Sequence, residues 1–142
     1  PHDKYDLEKS HVFGATVTKV MTAQDGKVVV WGEGTEKRDL LHVGDLVVFV
    51  EAALERQEQQ FALYNAGLGK ATAIRDLVEK IITASRRDLT IEYDTTKPTI
   101  PTTLALDCTK AKKELGWEPS ISLESGIAQT LAWYRSHYEK GD

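Results

Sequence analysis

Cysteine is nearly absent from this chain: Cys108 is the only one in 142 residues. No internal disulfide can form, so the fold must close on its own apolar core, which fits a reducing, cytoplasmic setting. A basic excess is missing too. Eighteen Lys and Arg stand against 22 Asp and Glu, for a net charge of −4, and phosphate-rich nucleic acid needs a positive surface. The expectation is no nucleic-acid partner. No apolar run approaches the roughly 18 residues that span a bilayer, and Asp3, Lys4, Asp6 and Glu8 open the chain with charge, so neither a membrane segment nor a signal peptide is read. The four histidines, His2, His11, His42 and His137, do not cluster with Cys108 or paired carboxylates at ligand spacing. No metal site is expected. Glycine-rich turns are scarce as well. The nearest, Gly67-Leu-Gly69-Lys70, has two glycines and no third three residues on, so it fails as a dinucleotide fingerprint and no cofactor is expected on this chain alone.

What is present is an ordinary globular composition. The chain has one domain's length, 1–142, and 41% hydrophobic residues, enough to bury a core of its own. Helix and strand patterns alternate, which predicts an α/β or mixed α+β fold. Ser10 is read as the cap of a helix to about Ala23, with Val12, Phe13, Thr16, Val17, Val20 and Met21 on one face. Val28-Val29-Val30-Trp31 reads as a strand ending at Gly32-Glu33-Gly34. Asp45 is read as capping a helix to about Arg56, Phe61–Tyr64 as a short strand, and Thr72 as capping a helix with Ile74, Leu77, Val78, Ile81 and Ile82 at core spacing. Thr90–Tyr93 is a further strand. After a Thr/Pro-rich loop, Asp107 and Gly116 bound a short helix, and Ser122 opens the last one, with Leu123, Ile127, Leu131, Tyr134 and Tyr138 as its buried stripe.

Several motifs run in a fixed order along nearly the whole chain: Pro1-His2-Asp3 with Ser10-His11-Val12, Trp31-Gly32-x-Gly34, Arg38-Asp-Leu-Leu-His-Val-Gly-Asp45, Tyr64-Asn65-Ala-Gly67, Lys97-Pro98, Leu115-Gly116-Trp117-Glu-Pro119 and Ser122-Leu-Glu-Ser-Gly126. In this order they resemble the C-terminal, substrate-binding half of extended short-chain dehydrogenases (the NAD(P)-dependent epimerase/dehydratase family), most like the GDP-L-fucose synthase subgroup. The resemblance implies a nucleotide-sugar epimerase or reductase using NADP. It also implies that the cofactor-binding Rossmann domain lies outside this chain, along with the catalytic Tyr-x-x-x-Lys pair, which is read as absent here.

Three residues stand out as substrate-binding. A planar guanidinium can hold two oxygens of a diphosphate at once, and in the related enzymes the arginine at the position of Arg38 does so; the bland reading is a surface ion pair with Asp39 or Glu36. Trp31 offers a flat ring for a base or sugar, as the family's Trp does, or is simply a core Trp at a sheet edge. Lys19 matches a basic substrate-contacting position, against the simpler reading of a solvated lysine. His11 matches a residue near the nicotinamide, a cofactor role open to it only if a Rossmann domain is supplied. The basic cluster Lys110, Lys112 and Lys113 reads as a solvated helix face.

There are departures from the family pattern. Where the family loop after Lys-Pro carries charged residues, this chain has Thr99-Ile-Pro-Thr-Thr-Leu104, and Gly14 replaces a proline. Three functions therefore stand side by side: the substrate-binding part of a nucleotide-sugar epimerase/reductase, inactive alone; a free-standing nucleotide-sugar binding module; or a fold-only interaction domain with an eroded site. The helix from Leu46 to Leu54 is apolar nearly all round, which predicts burial on every side. On its own the chain is expected to cover that surface by self-association or against the missing Rossmann half.

Overall fold

A computed structural model describes residues 3–138. The element order is α1 (Val12–Thr22), β1 (Lys27–Trp31), β2 (Lys37–Asp39), α2 (Val43–Arg56), β3 (Ala71–Ala73), α3 (Ile74–Ser85), β4 (Thr90–Asp94), α4 (Thr109–Leu115) and α5 (Leu123–Tyr138). Helices and strands are mixed along the chain, as the periodicities predict. The chain forms two compact units, one of Pro1–Glu36, Ala73–Pro101 and Ile127–Asp142, the other of Lys37–Thr72 and Thr102–Gly126. Among the described residues no helix is long and apolar enough to cross a membrane.

The first unit is built on a parallel pair, β1 with β4, in a register running from Lys27 opposite Thr90 to Trp31 opposite Asp94. Side chains alternate across a strand, so Val28 and Val30 are buried while Val29 and Trp31 point outward. Helices α1 and α3 pack together through Val17, Val20, Leu77 and Ile81, all at 0% exposure. The α3 stripe forms as read, except that Ile82 is half-buried and Ser85 ends the buried face. Ile127, Leu131 and Tyr134 of α5 are buried, whereas Tyr138 is exposed. The Tyr5 ring stacks on Trp133 and meets Tyr134 edge-on, with centroids 5.4 and 5.3 Å away, tying the N-terminal segment to α5. That segment also crosses α1 closely. A Cβ on Gly14 would lie 2.5 Å from the Lys4 carbonyl oxygen, so the crossing needs glycine at this position. The carbonyls that end α1 have no helical partners. Arg87 supplies them, donating through Nη1 to Val20 O at 2.7 Å and Met21 O at 2.5 Å, and through Nη2 to Ala23 O.

The second unit packs α2 against α4. Its core is Ala52, Ala111, Leu115 and Trp117, with Phe49, Tyr64 and Cys108 among the side chains laid against it. Phe49 meets Trp117 edge-on at 5.1 Å. Helix α4 ends where Gly116 takes a left-handed conformation, φ 61°, and Arg56 Nη1 donates to the Leu115 carbonyl at 2.7 Å. Two short strands that periodicity did not reveal, β2 and β3, pair with each other, and Lys37 bridges in parallel to Thr103.

Four expectations about helix ends need correction, because the residue at each cap position is not the one named. His11, not Ser10, occupies the cap position of α1, without a side-chain bond, and the buried Ser10 hydroxyl has no hydrogen-bond partner among the described residues. His42 caps α2, its Nδ1 accepting from Gly44 N at 3.0 Å, because Asp45 is drawn inward to other donors. Thr72 lies within β3 and Ala73 is the α3 cap. Cys108 stands at the α4 cap, although Asp107 Oδ1 accepts from Thr109 N at 2.9 Å. Ser122 behaves as read, its hydroxyl accepting from Ser125 N at 3.1 Å.

Two larger expectations also change. Residues 61–64 are not a strand; Lys110 Nζ donates to Leu63 O at 3.1 Å and Tyr64 Oη bonds Glu114 at 3.0 Å, so side chains of α4 hold the segment. Nor is α2 buried on every side. Leu46, Val47, Val48, Val50 and Leu54 are 43–82% exposed, with Phe61 and Leu63 exposed after them.

Candidate functional site

In the first unit the parallel register sets the site. Trp31 ends β1 opposite Asp94, the end of β4, and the residue is 55% exposed. Gly32 follows at φ 69°, and a Cβ there would lie 2.3 Å from Thr99 Cγ2, so the turn needs glycine and the loop after β4 closes over it. The same loop starts with a tight turn. Asp94 Oδ1 accepts from Thr96 N at 3.1 Å and from Thr96 Oγ1 at 2.6 Å, and Lys97 N donates to Asp94 O at 3.4 Å. The two bonds from Thr96 hold the Asp94 carboxyl below its usual range, against the effect of burial and with a smaller contribution from the Lys97 charge.

Two ammonium groups face the Trp31 ring. Lys19 Nζ, from the last turn of α1, is 5.7 Å from the ring centroid, and Lys97 Nζ is 5.9 Å from it. Lys19 also donates to the Val29 carbonyl at 2.9 Å. Its half-burial pushes its pKa down from the ordinary lysine value, because desolvation penalises a charge with no opposing carboxylate. An exposed aromatic plane beside two cations can stack a base or sugar and attract phosphate oxygens. Lys19 and Trp31, read separately from the sequence, are thus brought together. His11 is not with them: it precedes α1, eight residues before Lys19, or about 12 Å along a helix at 1.5 Å per residue. Lys97 was marked in the sequence only as half of a Lys-Pro motif; nothing in the spacing told that it would stand over Trp31.

Arg38 belongs to the second unit. It is half-buried in β2 and forms no ion pair with Asp39 or Glu36. Its Nη1 donates to the Lys37 carbonyl at 3.0 Å and to the Thr102 hydroxyl. Both acceptors are neutral, so the full positive charge remains available to an anion. Asp39 is occupied elsewhere. Its carboxylate accepts from the amides of Leu68 at 2.6 Å, Gly69 at 3.0 Å and Leu106 at 3.0 Å, fastening two loops beside β2. Next to those loops lies an open cleft of about 530 Å³ lined by Leu106, Cys108, Lys112 and Trp117 among others. Lys112 there is neutralised by Glu118 at 2.6 Å, and burial pushes the Cys108 thiol up, which disfavours the thiolate.

The Tyr-x-x-x-Lys spacing read as absent does in fact occur twice, at Tyr5/Lys9 and Tyr93/Lys97. Neither pair lies on a helix, where that spacing would bring the two side chains together. Tyr5 is buried among aromatic rings, and burial together with Asp3 raises its pKa. The spacing is therefore not a catalytic pair. Among the described residues no group of three or more His, Cys, Asp or Glu could hold a metal ion.

Comparison with known proteins sets these residues in a family. A family model described as GDP-mannose 4,6 dehydratase matches residues 8–130. The chain belongs to this family. GDP-L-fucose synthase of Escherichia coli K12 is 32% identical over 99% of the chain, but the match covers 47% of that enzyme. The chain thus spans less than half the length of the curated relatives it matches. A UDP-glucose 4-epimerase from Thermotoga maritima, solved with UDP-glucose, superimposes with a TM-score of 0.77 at 28% identity, covering 90% of this chain and 40% of that one. RMD from Pseudomonas aeruginosa, solved with NADPH, shares the fold at 21% identity and a TM-score of 0.77, over 89% of this chain and 43% of its own. The motif resemblance to extended short-chain dehydrogenases is borne out, and so is the mixed helix-and-strand fold.

Proposed function

We propose that this member of the GDP-mannose 4,6 dehydratase family is the substrate-binding part of an NADP-dependent nucleotide-sugar epimerase/reductase of the GDP-L-fucose synthase kind. Its task is to hold the nucleoside diphosphate. Arg38 takes the diphosphate with a guanidinium free of any carboxylate, while Trp31 and Lys19 form a stacking plane with an adjacent cation. The observation that carries the reading is the exposed Trp31 ring with Lys19 Nζ 5.7 Å from its centroid. A core tryptophan would not be this exposed, and the Lys19 ammonium is held by the neutral Val29 carbonyl and not by a carboxylate.

Hydride and proton transfer belong to the full-length enzyme. There NADP would supply the hydride chemistry, and His11 would be the residue of this chain to meet the cofactor once a Rossmann domain is supplied. This chain's own residues bind and orient the sugar nucleotide. The bare apolar face of α2 supports a partner: the rest of such an enzyme packs on it, and in isolation a second copy does. Saturation-transfer NMR with GDP-, UDP-, CDP- and dTDP-sugars tests the reading. Transfer to the base that disappears in Trp31→Ala supports it; transfer unaffected by that change, or none from any sugar nucleotide, overturns it in favour of a fold-only domain.

A further inference from the structure

We infer that Asp39 is a positioning residue for anion binding by Arg38: its carboxylate fastens the segment 102–106 beside β2, and in doing so is itself kept away from the neighbouring guanidinium. This rests on the reading proposed above and adds to it a residue that touches no ligand. An acid directly after an arginine is a ready competitor for the guanidinium. The structure removes that competition. Asp39 Oδ1 accepts from Leu68 N at 2.6 Å, and Oδ2 accepts from Gly69 N and Leu106 N, each at 3.0 Å. A carboxylate bonded to three amides has its charge satisfied, and Arg38 is left to the neutral Lys37 carbonyl and Thr102 hydroxyl.

The same carboxylate sets where Thr102 stands. Lys37 N donates to Thr102 O at 2.8 Å and Leu104 N to Lys37 O at 3.2 Å, so residues 102–104 run beside β2, with Lys37 bridged to Thr103. That ladder is short. The Leu106 amide on Asp39 is the next tie, holding the segment beyond the point where backbone pairing stops. Gly67 shows how closely the carboxylate is fitted. A Cβ there would lie 2.8 Å from Asp39 Oδ2 and 3.0 Å from Leu106 Cβ, so the glycine of the Tyr64-Asn65-Ala66-Gly67 motif is what lets Asp39 reach both loops. The half-buried Asp39 thus fixes the neutral acceptor on which Arg38 rests and withholds the anion that would otherwise neutralise it.

The test is a double-mutant cycle on the 142-residue chain, with Asp39→Asn and Arg38→Ala made singly and together. Each protein is titrated with sodium pyrophosphate and, separately, with GDP-mannose, following the Thr102 backbone amide by NMR, and its stability is measured by denaturant unfolding. Asparagine keeps one acceptor oxygen but turns an NH2 towards amide donors. The expected result is a dissociation constant raised about fivefold by Asp39→Asn in the parent and less than about twofold in Arg38→Ala, a coupling of the size found between neighbouring residues, with the same loss of stability in both backgrounds. A purely structural Asp39 would change stability alone, or weaken binding by one factor with and without Arg38; either result overturns the inference and leaves the proposed function standing. Should Asp39→Asn fail to fold, Gly67→Ala, which displaces the carboxylate without removing it, takes its place in the cycle with the same expected outcomes. If pyrophosphate shows the coupling but GDP-mannose does not bind, the inference stands and the proposed function falls. If neither ligand shifts Thr102 in the parent chain, both fall.

Discussion

Arg38 donates from Nη1 to the hydroxyl of Thr102, a residue in the loop where the related enzymes are implied to carry charge. The guanidinium is therefore parked on a neutral acceptor, an arrangement that an anion can displace. Arg38→Ala is expected to weaken sugar-nucleotide binding about tenfold or more, the value of one charge-assisted hydrogen bond. Arg38→Lys should recover only part, because an ammonium lacks the planar fork. Thr102→Val should leave stability within about 0.5 kcal/mol, since the residue is exposed, and leave affinity equal or better. Calorimetric titration of the three variants checks the order.

Asp45 gives a pH-dependent prediction. The side chain is 3% exposed, and its carboxylate accepts from Ser120 N at 3.1 Å, Ser120 Oγ at 2.9 Å and Ile121 N at 3.0 Å. Burial raises its pKa, but these bonds, with His42 nearby, outweigh burial and leave it below the ordinary 3.8. A carboxyl whose folded pKa is depressed stabilises the fold above the unfolded value and loses that contribution as pH falls through the folded one. Stability from Asp45 is thus whole above about pH 4 and fades below it. Asp45→Ala, which removes the three bonds its carboxylate accepts, should cost about 1–3 kcal/mol in all and flatten the acid limb of the stability profile. Chemical denaturation between pH 2 and 7 measures both.

The α2 face predicts association. Val47, Val50 and Leu54 are 53, 47 and 82% exposed, and each apolar side chain of this size contributes about 1.5–3 kcal/mol on full burial. The isolated chain is expected to form dimers or larger species at tens of micromolar, and Val47→Glu with Leu54→Glu should shift it to monomer. Phe49 is unsuitable for this test, because its ring packs on Trp117 and a charge there would disrupt the second unit. Light scattering coupled to size exclusion reads the mass; a monomer in both proteins contradicts the prediction.

The helices were legible because an apolar stripe at period 3.6 has one reading: Ile74, Leu77, Val78 and Ile81 are buried together on α3. Helix ends were less legible. A cap depends on where a short polar side chain finds its partner, and Asp45 finds its partners 75 and 76 positions away. Residues 61–64 misled because an apolar run says nothing of a neighbour to pair with, and here Lys110 and Glu114 side chains hold them. Among the residues proposed to bind, Trp31, Arg38 and Lys19 were singled out from motif order. The place of Lys97 over Trp31 was not legible, since it follows from a parallel register between strands 63 positions apart.

The central claim is that these residues hold a sugar nucleotide and not a nicotinamide cofactor. Parallel calorimetric titrations of the 142-residue chain with a GDP-sugar and with NADPH and NADH test it most directly. The account predicts roughly millimolar binding of the sugar nucleotide, about −4 kcal/mol, lost in the Trp31→Ala, Arg38→Ala double variant, and no binding of either dinucleotide. Micromolar affinity for NADPH or NADH, or sugar-nucleotide binding indifferent to both substitutions, would contradict it.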